Sequence, residues 1–394
     1  MKIAKLSLAA LLSLAMLTAC GADTTTFGTV NGVEIPVGIY INYQYMAYNN
    51  ALSKIAEKQA ATTEAAEPAA PSLPLPGAEA NTVTLPFMQD SIDGIPVRDY
   101  ITEEAIEDVR EYTAINDKFA SLGLTYQNNE DREVKNYIDQ NWEYFSETLT
   151  KLGISKASYE YVMLGSLKRQ EVFMYYYGPG GEKAVPDEII KEKLLEDNAR
   201  INYIPMVLKD GEGNLLKSEG KAEQMKMAED FVARAEAGEN FDSLLAEYND
   251  YYAALQAAAT PADETETDDT ATDEIDPNAE TQTVTNEMVI SKGDELPTAA
   301  VAARAFEEQA ANPGETRYFI VEDAGGEFYY VVKLADLFSD PTYIDVNRET
   351  IISELYSTEF DETVKAWAAE QQVILNEKSI ARYKVEKLEE LNAE

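Results

Sequence analysis

Histidine is absent from this chain of 394 residues. Its absence excludes a histidine-based catalytic triad, a histidine general base and most zinc sites, because no other side chain has an unperturbed pKa near neutrality. Cysteine is nearly absent, since Cys20 is the only one. A disulfide within the chain is therefore excluded, and no thiol nucleophile remains beyond residue 20.

Basic residues are scarce as well. The chain has 32 lysines and arginines against 72 acidic residues, which gives a formal net charge of -40. Such a surface repels nucleic acid, so we expect no nucleic-acid partner. We also expect no cofactor, because the sequence has no glycine-rich phosphate loop of the usual spacing, and no metal, because histidine ligands are absent. Residues 210–214 begin like a calcium loop, but Leu215 and Lys221 stand where that loop needs a glycine and a glutamate.

The first twenty residues predict export. Lys2 and Lys5 precede an apolar run over residues 6–17, which is too short to span a bilayer as a helix. The run ends in Leu17-Thr18-Ala19-Cys20, which resembles the bacterial lipobox. We therefore expect residues 1–19 to be a lipoprotein signal peptide and Cys20 to carry the lipid. The mature protein would then be extracytoplasmic and lipid-anchored to the bacterial cell membrane.

The first half of the mature chain has mainly helical periodicity. A short extended segment turns at Asn31-Gly32, and Pro36 opens a helix. Residues 59–86 contain no base and five prolines, which predicts a disordered insertion. Helical spacing resumes near residue 100 and continues to about 177, with breaks near Gly123 and Gly153.

The second half changes period. Strand-like runs cover residues 201–208, 287–291, 317–322 and 327–334, and helices are predicted over 221–237, 241–252 and 298–309. Residues 253–285 have nine acids and no base, which predicts a second disordered insertion. From residue 347 onward the chain is helical again, with a short strand at 373–375.

The order strand, helix, helix, strand, helix, hairpin over residues 201–334 resembles the parvulin domain. Residues 237–248, AGENFDSLLAEY, are similar to its "aGadFaeLAkeyS" stretch, and residues 312–316, NPGET, to its "lkpGeis" turn. Residues 328–334, FYYVVKL, match its last strand. With helices on both sides, the chain resembles the SurA/PrsA family of extracytoplasmic parvulin-type foldases, whose PrsA branch is lipid-anchored.

The resemblance implies an α+β fold, in which a small antiparallel sheet with flanking helices is inserted into a mostly helical chaperone region. The domains that it implies are an N-terminal helical domain over 20–195, a parvulin-like domain over 196–337, and C-terminal helices over 338–394 that pack on the N-terminal domain. The two predicted insertions fall in the first and second of these.

This chain lacks most of the catalytic residue types of the parvulin family. Parvulins have a histidine on the first strand and another on the last, a cysteine or aspartate between them, and a methionine–phenylalanine pair that holds the substrate proline. In this chain the first histidine position falls near Pro205 and the second on Tyr330. The cysteine-or-aspartate position falls near Asp250 or Tyr251, and the proline-holding pair falls near Glu295 and Ala299. Only Asp250 matches the family, so we expect no catalytic residue here.

Three functions stay open at this point. The first is a membrane-anchored chaperone that binds unfolded or newly exported polypeptides and whose parvulin-like domain is non-catalytic. The second is an active parvulin-type peptidyl-prolyl isomerase in which Tyr330 and Asp250 replace the missing groups. The third is a surface lipoprotein whose parvulin-like domain docks one fixed partner.

Overall fold

The computed structural model describes residues 25–62, 87–125, 130–210, 213–259 and 285–388. The predicted signal peptide 1–19, Cys20 and most of both predicted insertions lie outside these ranges. In the part of the chain that is described, no helix is long and apolar enough to cross a bilayer.

The chain divides into two units. One comprises Met1–Ala184 with Leu355–Glu394, and the other comprises Val185–Glu354. Both contain helices and a small antiparallel sheet, which confirms the α+β class. The domain boundaries predicted from the sequence stay predictions.

The first unit begins with a hairpin that leads into a helix. Strands β1 (Thr26–Val30) and β2 (Val33–Pro36) pair antiparallel, and α1 (Val37–Thr62) follows at once. Positive φ angles of 51° at Asn31 and 80° at Gly32 form the tight turn that an Asn-Gly pair favours. The predicted turn and helix are confirmed. Helix α1 runs past residue 59, where the insertion was predicted to begin, because alanines are strong helix formers.

The same design occurs a second time, and the sequence analysis missed it. Strands β3 (Ser91–Ile92) and β4 (Ile95–Pro96) turn at Asp93-Gly94 and lead into α2 (Val97–Ser121). In both copies a proline ends the hairpin and a valine begins the helix. Helices α3 (Glu130–Leu152) and α4 (Lys156–Tyr177) follow, with the predicted break at Gly153, whose φ is 93°.

The second unit contains most of the remaining elements. In chain order they are α5 (Asp187–Asp197), β5 (Asn198–Val207), α6 (Ser218–Glu236), α7 (Phe241–Ala259), β6 (Met288–Ser291), α8 (Ala299–Ala311), β7 (Arg317–Glu322) and β8 (Phe328–Ala335). Helix α7 was predicted to end at Tyr252 but continues to Ala259, because residues 253–259 are five alanines, a leucine and a glutamine, all good helix formers. Residues 260–284 of the predicted acidic insertion lie outside the described residues.

The sheet of the second unit has the strand order β6-β5-β8-β7, and all its pairs are antiparallel. Side chains alternate between its faces. On one face, Ile204, Met206 and Val331 pack with residues of α6 and α7, and we call this group the α6–α7 cluster. On the other, Ile201, Val332 and Leu334 pack with residues of α8, and we call this group the α8 cluster.

The chain ends with α9 (Tyr343–Ala369), β9 (Val373–Leu375) and α10 (Glu377–Ile380). The predicted short strand is confirmed as β9, which completes the first unit's sheet in the order β2-β1-β9. Gly28 of β1 allows this pairing. Its φ is +147°, and a Cβ there would lie 2.1 Å from the Ile374 carbonyl oxygen of β9.

Aromatic rings fix the last part of α9 within the first unit. Phe360 is 3% exposed and lies against Phe173 of α4, with ring centroids 5.2 Å apart. Tyr356 stacks on Tyr177 at 5.3 Å, and Trp367 contacts Phe360 at 6.0 Å. Residues 179 and 187 positions apart in sequence therefore pack together in this unit.

Candidate functional site

Strand pairing brings two of the predicted site residues together. In the antiparallel register of β5 with β8, Pro205 lies directly opposite Tyr330. Both residues point to the α8 face of the sheet, because Tyr330 packs with the α8 cluster and side chains alternate along each strand. These are the two positions at which the parvulin resemblance places histidines.

The cleft at this point is filled with aromatic rings. Tyr330 is only 7% exposed. The Tyr203 ring meets it edge-on at 5.8 Å, and the Phe328 ring lies 5.7 Å away on the other side along the strands. Burial, followed by the charges of Asp323 and Tyr203, raises the pKa of the Tyr330 phenol above its usual value. The phenol is therefore neutral at physiological pH and poorly accessible to a substrate.

Asp323 holds the hairpin that positions Phe328. Its Oδ1 accepts hydrogen bonds from the backbone N–H groups of Glu327 at 2.8 Å and Phe328 at 2.6 Å, and its Oδ2 accepts one from Gly325 at 3.0 Å. With three donors, this carboxylate serves the β7–β8 turn and leaves little capacity for a ligand.

Asp250 and Tyr251 are not brought to the cleft. Both lie on α7, whose buried residues Leu244, Leu245 and Tyr248 pack in the α6–α7 cluster rather than with Tyr330. Asp250 is exposed to solvent. Tyr251 accepts a hydrogen bond from Gln224 Nε2 at 3.3 Å and lies beside the Tyr248 ring.

Glu295 and Ala299 do not form an apolar pair. Glu295 lies in the segment before α8, Ala299 is the first residue of that helix, and both are exposed. The Thr298 hydroxyl caps the helix by accepting a hydrogen bond from Val301 N at 3.3 Å. Phe306, one α8 residue that the sequence analysis did not single out, packs partly buried on the α8 cluster.

Tyr203 and Phe328 are therefore the site residues that sequence reasoning missed. Each is two positions from a residue that the alignment had placed in the cleft, on a strand with period-2 alternation. That spacing alone puts Tyr203 beside Pro205 and Phe328 beside Tyr330. Across the described ranges, no group of three acidic or cysteine side chains is arranged to hold a metal ion.

The solved structures to which this chain is similar include three foldases. PrsA from Bacillus subtilis is 15% identical, with 74% of this chain and 85% of that chain covered and a TM-score of 0.23. PrsA from Lactococcus lactis is 12% identical, with 72% of this chain and 89% of that chain covered and a TM-score of 0.29. PrsA from Streptococcus pneumoniae is 13% identical, with 77% of this chain and 93% of that chain covered and a TM-score of 0.26. The chain is similar to PrsA foldases. Neither the family models nor the curated proteins gave a match.

The structures found are PrsA foldases, which is the branch that the sequence resemblance names. TM-scores of 0.23–0.29 give no residue correspondence with PrsA, so nothing about catalysis follows from them. The chemistry of the cleft depends on the contacts of Tyr203, Phe328 and Tyr330 described above.

Proposed function

We propose that this PrsA-like protein is a membrane-anchored extracytoplasmic chaperone that binds unfolded exported polypeptides, and that its parvulin-like unit is non-catalytic. The packing of Tyr330 is the observation that supports a non-catalytic parvulin-like unit. At the position of the family's last histidine, a tyrosine that is 7% exposed lies between two other rings.

Isomerisation of an X-Pro bond needs an accessible pocket. The uncatalysed barrier is about 18–20 kcal/mol, and an enzyme must hold the proline ring while the bond twists. In this cleft the space beside Tyr330 is occupied by Tyr203 and Phe328. Pro205 opposite offers no side-chain donor or acceptor. Such a cleft is not expected to stabilise the twisted state.

The residual-isomerase alternative requires Asp250 and Tyr330 to act on one bond. Asp250 is exposed on α7, and α7 packs on the sheet face opposite to that of Tyr330. This placement disfavours a joint role. The docking-module alternative makes a different prediction, which is binding to one folded partner and no protection of unrelated unfolded chains.

The anchor is the remaining part of the proposal. It depends on the lipobox resemblance that ends at Cys20. Two or more acyl chains hold a protein on a membrane far better than one, because each buried methylene contributes about 0.8 kcal/mol. The excess of 72 acids over 32 bases would keep the anchored protein and its bound chains soluble.

The test compares the mature protein with its Tyr330→Phe variant in two assays, with a catalytic parvulin as positive control. We expect neither protein to shorten the half-time of prolyl isomerisation in a proline-containing peptide at micromolar concentration. We expect both to suppress aggregation of several unrelated unfolded proteins. Acceleration by the parent that the variant lacks would make Tyr330 catalytic, and protection of a single partner only would favour the docking module.

A further inference from the structure

One face of α2 in the first unit carries acidic residues that the proposed function does not use. Glu104, Asp108 and Glu111 are spaced four and three residues apart, which places them on the same side of the helix. Asp108 is partly buried there. Within the described ranges, no hydrogen bond or salt bridge reaches its carboxylate.

The Tyr43 phenol faces this carboxylate, and it belongs to a group of three neighbouring tyrosines, Tyr43, Tyr112 and Tyr161. The rings of Tyr43 on α1 and Tyr112 on α2 lie 6.2 Å apart, and the pKa of the Tyr43 phenol is raised first by burial and then by the charge of Asp108. The Tyr112 ring packs against Gly165 of α4, where a Cβ would come within 2.7 Å of the ring. Tyr161, one helical turn before Gly165, is 38% exposed.

The cation that acts on Asp108, Arg169, is already paired with two other carboxylates. Arg169 of α4 donates from Nη1 to Glu111 Oε2 at 3.2 Å and from Nη2 to Asp361 Oδ1 at 2.6 Å. Burial, followed by the charges of Glu111 and Glu104, raises the pKa of Asp108 to about 7, and Arg169 offsets only part of this. The site therefore has an excess of negative charge and lacks a partner for Asp108.

We propose that the surface formed by Tyr43, Asp108, Tyr112 and Tyr161, here called the tyrosine–aspartate surface, binds a lysine or arginine side chain of an unfolded polypeptide. The inference rests on the proposed chaperone function and names its substrate class. Aromatic faces attract cations, and a carboxylate without an ion pair accepts a charge-assisted hydrogen bond from one. An anionic or purely apolar segment would gain neither interaction.

Binding should depend on pH in a defined direction. The cation needs Asp108 in its ionised form, so affinity rises as the pH increases through about 7. The titratable and charged groups that face Asp108, Glu111 or Tyr43 come from four helices. They are Tyr43 of α1; Glu104, Glu107, Glu111 and Tyr112 of α2; Arg169 of α4; and Asp361 and Lys365 of α9.

The experiment measures peptide binding by fluorescence anisotropy at pH 8. One unstructured peptide carries several lysines, and its match carries the same lysines acetylated, which removes only their charge. The parent should bind the lysine peptide about tenfold more tightly, the value that one charge-assisted hydrogen bond supplies. Asp108→Asn should lose this preference. Glu103→Gln, an equal charge change at an exposed position of the same helix, should keep it.

Tyr161→Ser provides a second variant, because it removes an exposed ring and leaves every charge in place. It should weaken binding of the lysine peptide at pH 8. Equal affinity of the parent for both peptides, or an unchanged preference in Asp108→Asn, would overturn the inference. Either result would leave the proposed chaperone function intact if unfolded proteins were still protected from aggregation. Failure of that protection in the parent would instead refute the proposed function.

Discussion

Replacing Asp108 by asparagine should stabilise the first unit at alkaline pH and have little effect at acidic pH. Burial and neighbouring carboxylates raise the pKa of Asp108 from its ordinary value of 3.8 to about 7. Between those values the folded protein holds a proton that the unfolded chain has lost. Stability therefore falls as the pH rises from about 4 to about 7. Asparagine resembles the protonated acid at every pH, so the variant escapes this loss.

The magnitude follows from the pKa difference. About three pKa units at about 1.4 kcal/mol each give about 4 kcal/mol. Because part of the Asp108 side chain reaches solvent and Arg169 offsets some repulsion, we expect the variant to be more stable by about 2–4 kcal/mol at pH 8. At pH 4 the two proteins should differ by less than about 1 kcal/mol, since Asp108 is then protonated in the fold.

Urea unfolding followed by tryptophan fluorescence isolates this unit, because both tryptophans, Trp142 and Trp367, lie in it. Glu103→Gln serves as the control and should change stability by no more than about 0.5 kcal/mol at either pH. If Asp108→Asn were no more stable than the parent at pH 8, the carboxylate would not be strained and the reasoning would fail.

Three further predictions concern the anchor and the core. Cys20→Ala should release the protein from membranes, whereas unchanged membrane fractionation of the variant would refute the anchor. Phe360→Ala should cost about 3–5 kcal/mol in urea unfolding, because a ring that is 3% exposed and in contact with Phe173 leaves a cavity. Gly28→Ala should cost about 1–3 kcal/mol, since φ is +147° and the added Cβ meets the Ile374 carbonyl; a neutral effect in the same assay would show that β1 and β9 do not pair as described.

The sequence predicted secondary structure elements correctly where a few neighbouring residues determine the element. The Asn31-Gly32 turn needs only two residues with positive φ, and the strand at β9 needs only a short β-branched run. The Asp93-Gly94 hairpin carries the same turn signal, but its strands are two residues each and give no period to detect. The predicted end of α7 was wrong because the low content of large apolar residues after Tyr252 was interpreted as disorder, although alanine favours a helix.

The two sites could not be predicted fully, because they are formed by contacts between residues that are distant in sequence. Alignment placed Pro205 and Tyr330 in one cleft, and the register agrees. Whether that cleft is open depends on Tyr203 and Phe328, which meet Tyr330 only through the pairing of β5 with β8. In the sequence, Asp108 is one of several acidic residues in a helical segment and has no distinguishing signal. Its burial arises because α1 and α4 both pack against α2, and packing between distant segments is not encoded in spacing.

The two aromatic sites differ in whether a ligand can reach them, and this difference bears on how such a protein would select its clients. Tyr330 is 7% exposed and its neighbours are aromatic rings. The contacts of the Tyr330 ring are therefore made within the protein, and little of its surface remains for a ligand. Tyr161 is 38% exposed and neighbours Tyr112 on the tyrosine–aspartate surface, so a cation would gain contacts there that the free protein does not make. A chaperone with this arrangement would recognise positive charge in an unfolded chain rather than proline geometry. Salt should weaken that recognition, because screening acts on a partly exposed charge pair and hardly at all on packed rings.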